Sequence, residues 1–275
     1  MYEIVEKKVL SDTVKLMKIK APLVARKAQA GQFVILRIDE KGERIPLTIA
    51  DFDRKKGTIT IIFMEVGKTT KQLGILDVGD SLQNFAGPLG MPSEIEKYGN
   101  VVCIGGGVGI APLYPIVKAL KKTGNHVVSI LGARNEKLLL LEDEIASFSD
   151  EFYIATDDGS KGHKGFVSDV LQKRIDEKEK IDMVMAIGPV IMMKVVADLT
   201  KKYNIKTLVS LNPIMVDGTG MCGGCRVTVG GEIKFACVDG PEFDGHKVDF
   251  KNLMLRNKRF LREEEDSCKM LEGAE

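Results

Sequence analysis

The sequence predicts a β plus α/β protein in three parts. These are a small antiparallel β-barrel, a five-stranded doubly wound parallel domain and a small C-terminal segment rich in glycine and cysteine. Three observations carry this. Across residues 1–97, short runs of alternating apolar and polar residues recur between turn signals, most clearly in GTITIIFMEV. From Asn100 onward, apolar strands alternate with stretches of helical period, the pattern of βαβ units and a parallel sheet. Residues 211–245 break both rhythms, and the nonapeptide DGTGMCGGC, Asp217–Cys225, holds two of the five cysteines in the chain.

In chain order, strands are expected at Glu3–Leu10, Thr13–Lys20, Gln32–Ile38, Arg44–Ala50, Thr58–Met64 and Ser81–Phe85. Strands so spaced suit a small barrel or sandwich. NVVCIGG then leads through a glycine turn into the helical pattern APLYPIVKALKK. Further strands are expected at His126–Gly132, Phe152–Thr156, Met183–Gly188 and Thr207–Ser210, with helices near Leu139–Phe148, Phe166–Glu177 and Ile191–Tyr203. Right-handed crossovers then give a doubly wound sheet over residues 98–210. Residues 211–245 offer only one short hairpin, RVTVGGEIKFACVDG, and too little apolar surface to fold unaided, so a metal centre is expected as a staple. The tail, 246–275, reads as a solvated helix or frayed end, or as a segment that docks on a partner chain.

Composition narrows the function. Of 275 residues, 44% are hydrophobic and 29% charged, with a net charge of +1, which gives no global field for nucleic acid or an anionic membrane. The N-terminal MYEIVEKKVL has neither the basic region nor the apolar run of a signal peptide, and no stretch is long and apolar enough to span a membrane, so a cytoplasmic location is expected. In that reducing setting clustered cysteines bind metal or do redox work more often than they form disulfides. Tryptophan is absent, which disfavours stacking platforms for bases or sugars.

Three loops carry anion-binding chemistry. GGGVGIAP, Gly105–Pro112, follows a strand and opens a helix, so glycine backbone can approach a phosphate while helix-terminal N–H groups point at it. It does not fit G-x-G-x-x-G, because Ile110 stands where the third glycine belongs, and a tight turn with no ligand is the bland reading. ERIPLTIAD, Glu43–Asp51, puts Arg44 two residues before Pro46 in a barrel strand, where Arg44 could grip phosphate and Thr48 could hydrogen-bond a ring. VGKTTKQL, Val66–Leu73, follows Gly67 with Lys68 and two threonines but lacks P-loop spacing. Alone, each of the last two is weak.

The cysteines allow three readings. A zinc site through Cys222, Cys225 and Cys237 would need a fourth ligand such as His246, which has no paired ligand beside it. A redox dithiol would want Cys222 at a helix start, whereas CGGC runs into the strand RVTV. The plant-type [2Fe–2S] spacing C-x4-C-x2-C with a distant fourth cysteine fits once Asp217 takes the first position. Asp217, Cys222, Cys225 and Cys237 then form an all-anionic donor set, with Asp239 or water as alternatives for the oxygen ligand. Cys103 reads as buried filler, Cys268 has no partner in sight, and His126 and His163 read as structural or solvated.

Taken together, the barrel strand R-x-P-[LIY]-[ST], the G-x-x-T/S loop and the GGGxGIAP turn resemble, in that order, the ferredoxin–NADP reductase superfamily over residues 5–210. The resemblance implies a flavin-binding β-barrel (1–97), an NAD(H)-binding domain (98–210) and a [2Fe–2S] domain (211–245). It implies that Arg44, Pro46, Leu47 and Thr48 line the FAD ring and its phosphate, and that Gly67, Thr69 and Thr70 hold the pyrophosphate and adenylyl half. Gly105, Gly106, Gly107, Gly109, Ile110, Ala111 and Pro112 would face the nicotinamide nucleotide, with Asp157, Gly159, Gly188 and Pro189 in later loops on that side. GPLG at Gly87–Gly90 matches the closing loop of the barrel. Many members carry cysteine where this chain has Ile187.

With the cysteine segment included, almost the whole chain is similar to electron-transfer subunits of type B dihydroorotate dehydrogenase. It is more similar still to small subunits of NADH-dependent reduced ferredoxin:NADP oxidoreductases, because the aspartate in SLNPIMVDGTGMCGGCRV departs from the cysteine of the former. The latter resemblance implies FAD, NAD(H) and a [2Fe–2S] cluster in this chain. It also implies a larger flavin and [4Fe–4S] partner that binds NADP(H) and reaches ferredoxin by electron bifurcation. No residue need act as acid or base, since the cofactors carry the chemistry. A reading of another class is a flavin-free iron–sulfur scaffold subunit. Arg134 and Glu136 in GARNEK pull in opposite directions on the choice between NAD and NADP.

Overall fold

The structure, a computed structural model, describes residues 1–272. Among them the chain forms a barrel sheet, a mostly parallel sheet and a two-stranded hairpin. The barrel consists of β1 (Tyr2–Ser11), β2 (Val14–Lys20), β3 (Phe33–Arg37), β4 (Ile45–Asp53), β5 (Thr58–Met64), β6 (Ser81–Leu82) and β7 (Asn84–Leu89). Its order is β6-β1-β2-β5-β4-β3-β7, each pair antiparallel. Ile4, Met17, Ile19, Ile49, Ile59, Ile61 and Phe63 are fully buried inside it, as period-two alternation requires. The expected sixth strand is split. Pairing with β1 ends at Leu82, and the chain switches to β3 as β7, which contains the GPLG turn's Gly87 and Pro88. Short helices α1 (Pro22–Lys27) and α2 (Lys68–Ile75) cover the barrel's ends.

The second sheet has β8 (Asn100–Gly106), β9 (His126–Ala133), β10 (Glu151–Thr156), β11 (His163–Lys164), β12 (Met183–Ile187) and β13 (Lys206–Ser210), all parallel. Helices α3 (Ile110–Lys122), α4 (Glu142–Ala146), α5 (Val167–Asp176) and α6 (Val190–Lys201) connect them. The strands are apolar on both faces because both faces are covered. Val101 and Cys103 pack with α3 and α4, while Val102 and Ile104 pack with α5 and α6. The helix expected at Leu139–Phe148 is shorter than its pattern. Leu139 and Leu140 are buried as a non-helical lead-in, and Leu141 sits at φ 52°, so only Glu142–Ala146 coils. The order β10-β9-β8-β12-β13 reverses direction between β8 and β12, and ligands of such sheets bind at the carboxyl ends beside that switch point.

The C-terminal segment is more firmly built than its sequence implies. It contains β14 (Arg226–Val229), β15 (Glu232–Phe235), β16 (Glu242–Asp244), α7 (Phe250–Arg256) and α8 (Leu261–Glu272). β16 adds antiparallel to β13, so the parallel sheet gains an edge strand from the cysteine segment. Leu211, Met215, Cys225, Val227, Ala236, Cys237, Phe243, Phe250 and Leu253 belong to the same buried core as α6. Apolar packing therefore holds this segment in addition to anything the cysteines bind. α8 lies against α2 of the barrel. No helix among the described residues is long and apolar enough to cross a membrane.

Candidate functional site

A cleft of about 1210 Å³ opens where all three parts meet. It is roomier than the roughly 300–1,000 Å³ of most single-ligand sites. One wall is the barrel strand β4, with Pro46, Leu47 and Thr48, joined by Phe33 of β3 and Thr70 of α2. The facing wall is the switch point, with Gly106, Gly107, Gly109 and Pro112 after β8, Gly188 and Pro189 after β12, and Asp157 after β10. Asn212, Pro213, Met215 and Pro241, from the cysteine segment, close the third side.

Each glycine in the turn has its own task. Gly107 has φ +54°, and an added Cβ would meet nothing, so its backbone faces open cleft. A Cβ on Gly109 would stand 2.6 Å from the Ile187 carbonyl, so only glycine lets α3 begin against the end of β12. α3 is 13 residues long with no acidic residue in its first turn, so its unpaired N–H groups present positive potential at the cleft. Gly105, Ile110 and Ala111 do not line the cleft. Ile110 and Ala111 are buried residues of the first turn of α3, and Gly105 packs on Leu113 and Ile110.

On the barrel side, Arg44 is exposed just before β4 and is not part of the cleft wall. Thr69 is buried and donates its hydroxyl to Glu43 Oε2 at 2.6 Å, which removes that group from the cleft. Thr70 Oγ1 accepts the N–H groups of Val66 and Gly67 at 3.0 Å each and caps α2. Gly67 is the cap residue of α2, with open space where a Cβ would be. Gly159, at φ +79°, packs on Lys164 outside the wall. Asn212, Pro213, Met215 and Pro241 gave no signal as cleft residues in the sequence. They lie in loops whose approach to the barrel depends on the β13–β16 pairing.

The cysteine loop is built by the β14–β15 hairpin. The register Arg226↔Phe235 and the bond from Ala236 N–H to the Cys225 carbonyl at 3.2 Å set Cys225 opposite Ala236, the residue before Cys237. The Cys225 and Cys237 sulfurs are 3.1 Å apart, too far for a disulfide at about 2.05 Å, and both are buried. Burial and the neighbouring Cys225 push the Cys237 thiol up to about 12, and binding a metal through that sulfur would displace its proton. Cys222 is exposed, and its sulfur accepts the Gly224 N–H at 3.4 Å. Asp217 accepts N–H groups from Thr219 at 2.5 Å and Cys222 at 2.6 Å, and these bonds lower its carboxyl to about 2. Gly218, Gly220 and Gly223 have φ of +74°, +89° and +66°, which folds Asp217 back onto the cysteines.

As placed, no three His, Cys, Asp or Glu groups among the described residues converge on one metal position. The structure instead pairs Cys225 with Cys237 and ties Asp217 to the Cys222 backbone. Three thiols, a carboxylate held well below its usual range and a glycine loop that folds them together suit an iron–sulfur cluster. The zinc alternative loses its fourth ligand, because His246 Nε2 is 3.0 Å from Thr200 Oγ1. Asp239 accepts the Phe235 N–H at 2.6 Å in the turn that follows β15. Cys103 is fully buried, and burial pushes its thiol up to about 12, as befits inert filler.

Known proteins agree with this layout. Residues 212–249 match the family model of the iron–sulfur cluster binding domain of dihydroorotate dehydrogenase B, and residues 103–198 match that of the oxidoreductase NAD-binding domain. The dihydroorotate dehydrogenase B (NAD(+)) electron transfer subunit homolog of Thermotoga maritima is 50% identical over 265 residues, covering 96% of this chain and 93% of that one. The corresponding subunit of Desulforamulus reducens is 36% identical over 240 residues, covering 84% and 91%. A solved structure described as giving insights into flavin-based electron bifurcation via the NADH-dependent reduced ferredoxin-NADP oxidoreductase superposes with a TM-score of 0.94. It is 48% identical, with 98% of each chain covered. A ferredoxin NADP+ reductase from Neisseria gonorrhoeae, at 18% identity and a TM-score of 0.59, shares the fold over 74% of this chain. An oxidoreductase NAD-binding domain therefore precedes an iron–sulfur cluster-binding domain here, and the chain belongs to the family of dihydroorotate dehydrogenase B electron transfer subunits and their homologues.

Proposed function

We propose that this chain is the NADH-side electron-transfer subunit of a flavin-based electron-bifurcating NADH-dependent ferredoxin:NADP+ oxidoreductase. The observation that carries the reading is the three-walled cleft, in which β4, the switch-point glycines and the chain leading to Asp217 share one space. Bound there, FAD would link the two-electron chemistry of NADH to the one-electron chemistry of a [2Fe–2S] cluster. The chain's own residues do the positioning. Pro46, Leu47 and Thr48 give the flavin a flat apolar seat, and Gly67 and Thr70 at the start of α2 receive its diphosphate. Gly106, Gly107 and Gly109 admit the dinucleotide phosphates beside the positive end of α3, and Gly188 and Pro189 bound the nicotinamide. Arg44, Thr69, Gly105, Ile110, Ala111 and Gly159, which stand back from the cleft wall, belong to the same proposed cofactor-binding loops.

Asp217, Cys222, Cys225 and Cys237 would hold the cluster, and electrons leave it for a larger flavin and [4Fe–4S] subunit that binds NADP(H) and serves ferredoxin in the cytoplasm. The high identity to the bifurcating structure and the aspartate at position 217 favour this partner over a dihydroorotate-oxidising one. Purification of the native complex tests the choice. A partner that oxidises NADPH while reducing ferredoxin supports the reading, and a dihydroorotate-oxidising partner contradicts it.

A further inference from the structure

Arg256, in α7, reaches back across 32 residues of sequence to donate to the carbonyl of Gly224 at 3.0 Å. Gly224 immediately precedes Cys225, so this guanidinium is anchored on the cysteine loop. Its Nε–H is unsatisfied, since that atom is buried with no acceptor among the described residues. A buried donor without a partner is destabilising, the more so when it is charged.

The charges around it are equally one-sided. Partial burial, Arg259 and Arg226 all depress the pKa of Arg256, while Cys225 acts in the other direction. No carboxylate among the described residues forms an ion pair with any of these three arginines. Three guanidiniums that cannot lose their protons, gathered without a counter-anion, leave a positive field at the back of the loop. The proposed cluster reading, on which this inference rests, supplies the missing anion. Four anionic ligands around [2Fe–2S] give a net negative centre whose charge grows by one on reduction.

We infer that Arg256 is a positioning and tuning residue for the cluster, its free Nε–H donating to the Cys225 sulfur once the site is loaded, with Arg226 and Arg259 completing a cationic backing. A cationic donor on a ligand sulfur favours the reduced, more negative state and so raises the reduction potential. Electrons then pass more readily from flavin to cluster than they would in an uncompensated site. No proton or covalent bond moves in this step.

The test is an EPR-monitored redox titration of the full chain with its cluster assembled, comparing wild type with Arg256→Met and Arg256→Gln. Both variants are expected to keep the wild-type iron content and [2Fe–2S] spectrum. Their tendency to be reduced should fall by about tenfold or more, a shift of at least about 59 mV to lower potential for one electron. An unchanged potential in a loaded variant overturns the inference while leaving the cluster itself in place. Loss of iron from both variants also overturns it, because Arg256 would then be a clamp that retains the Gly224 loop. A wild-type chain that assembles no [2Fe–2S] cluster overturns the underlying reading instead.

Discussion

Asp217 is the residue on which the cluster assignment turns. Two backbone N–H bonds hold its carboxyl near 2, so it is an anion at every pH at which the protein works. Asp217→Cys should keep a [2Fe–2S] cluster but change its EPR g-values and potential, since a thiolate would replace an oxygen donor. An unchanged spectrum would mean that position 217 is not a ligand. The next residue sets where the loop sits. Gly218 has φ +74°, and a Cβ there would come 2.6 Å from Ile35 Cγ1 and 3.1 Å from Leu89 Cδ1 in the barrel. Gly218→Ala should therefore cost at least about 1–2 kcal/mol from backbone strain alone, read as a lowered melting temperature of the cluster-free chain. The aspartate offset was legible in the sequence. The need for glycine against Ile35 was not, because it arises from a barrel strand far away in the chain.

Among the elements, β16 ties the parts together. It extends the parallel sheet, and its Glu242 accepts a hydrogen bond from Ser93 at 2.5 Å, in the linker that leaves the barrel. Burial raises the Glu242 carboxyl to about 7 despite the Ser93 bond, and the Glu94 carboxylate adds to the effect. Cys103 and Tyr98 are the other titratable groups that feel its charge. The folded chain thus binds this proton more tightly than the unfolded chain. Stability is full below about pH 4.5 as far as this group is concerned, falls as pH rises, and levels off above about pH 7, a loss on the order of 3 kcal/mol. Glu242→Gln should flatten that dependence in denaturant unfolding measured at pH 5 and pH 8. A variant with the wild-type pH profile would show that Glu242 is not the group responsible. Neither β16 nor the split between β6 and β7 was visible in sequence. Three-residue and two-residue strands have no period to detect, and tertiary pairing alone decides them. The long apolar strands and the helices α3, α5 and α6 were legible within a few residues, because both faces of the sheet demand apolar side chains.

At the scale of the whole molecule, α3 of the parallel domain packs against β4 of the barrel, and loops from distant parts of the chain enclose one cleft. The GGGVGIAP turn could be placed from sequence because strand, glycine and helix are local signals. Asn212–Met215 as the third wall could not, since its position follows from β16 closing the sheet edge. This wall leads directly into Asp217, and Phe33 of the cleft and Ile35 under Gly218 belong to the same strand, β3. On the proposed function, a flavin seated on β4 would share this cleft with the chain that leads into the cysteine loop. On the proposed function, NADH electrons cross this cleft to the cluster. The most direct test of this transfer is anaerobic addition of NADH to the full chain loaded with FAD and iron–sulfur cluster, following flavin absorbance and cluster EPR together. Bleaching of the flavin followed by a reduced [2Fe–2S] signal from the same chain is the expected result. A flavin that bleaches while the cluster stays oxidised, at a potential where dithionite reduces it, would contradict it.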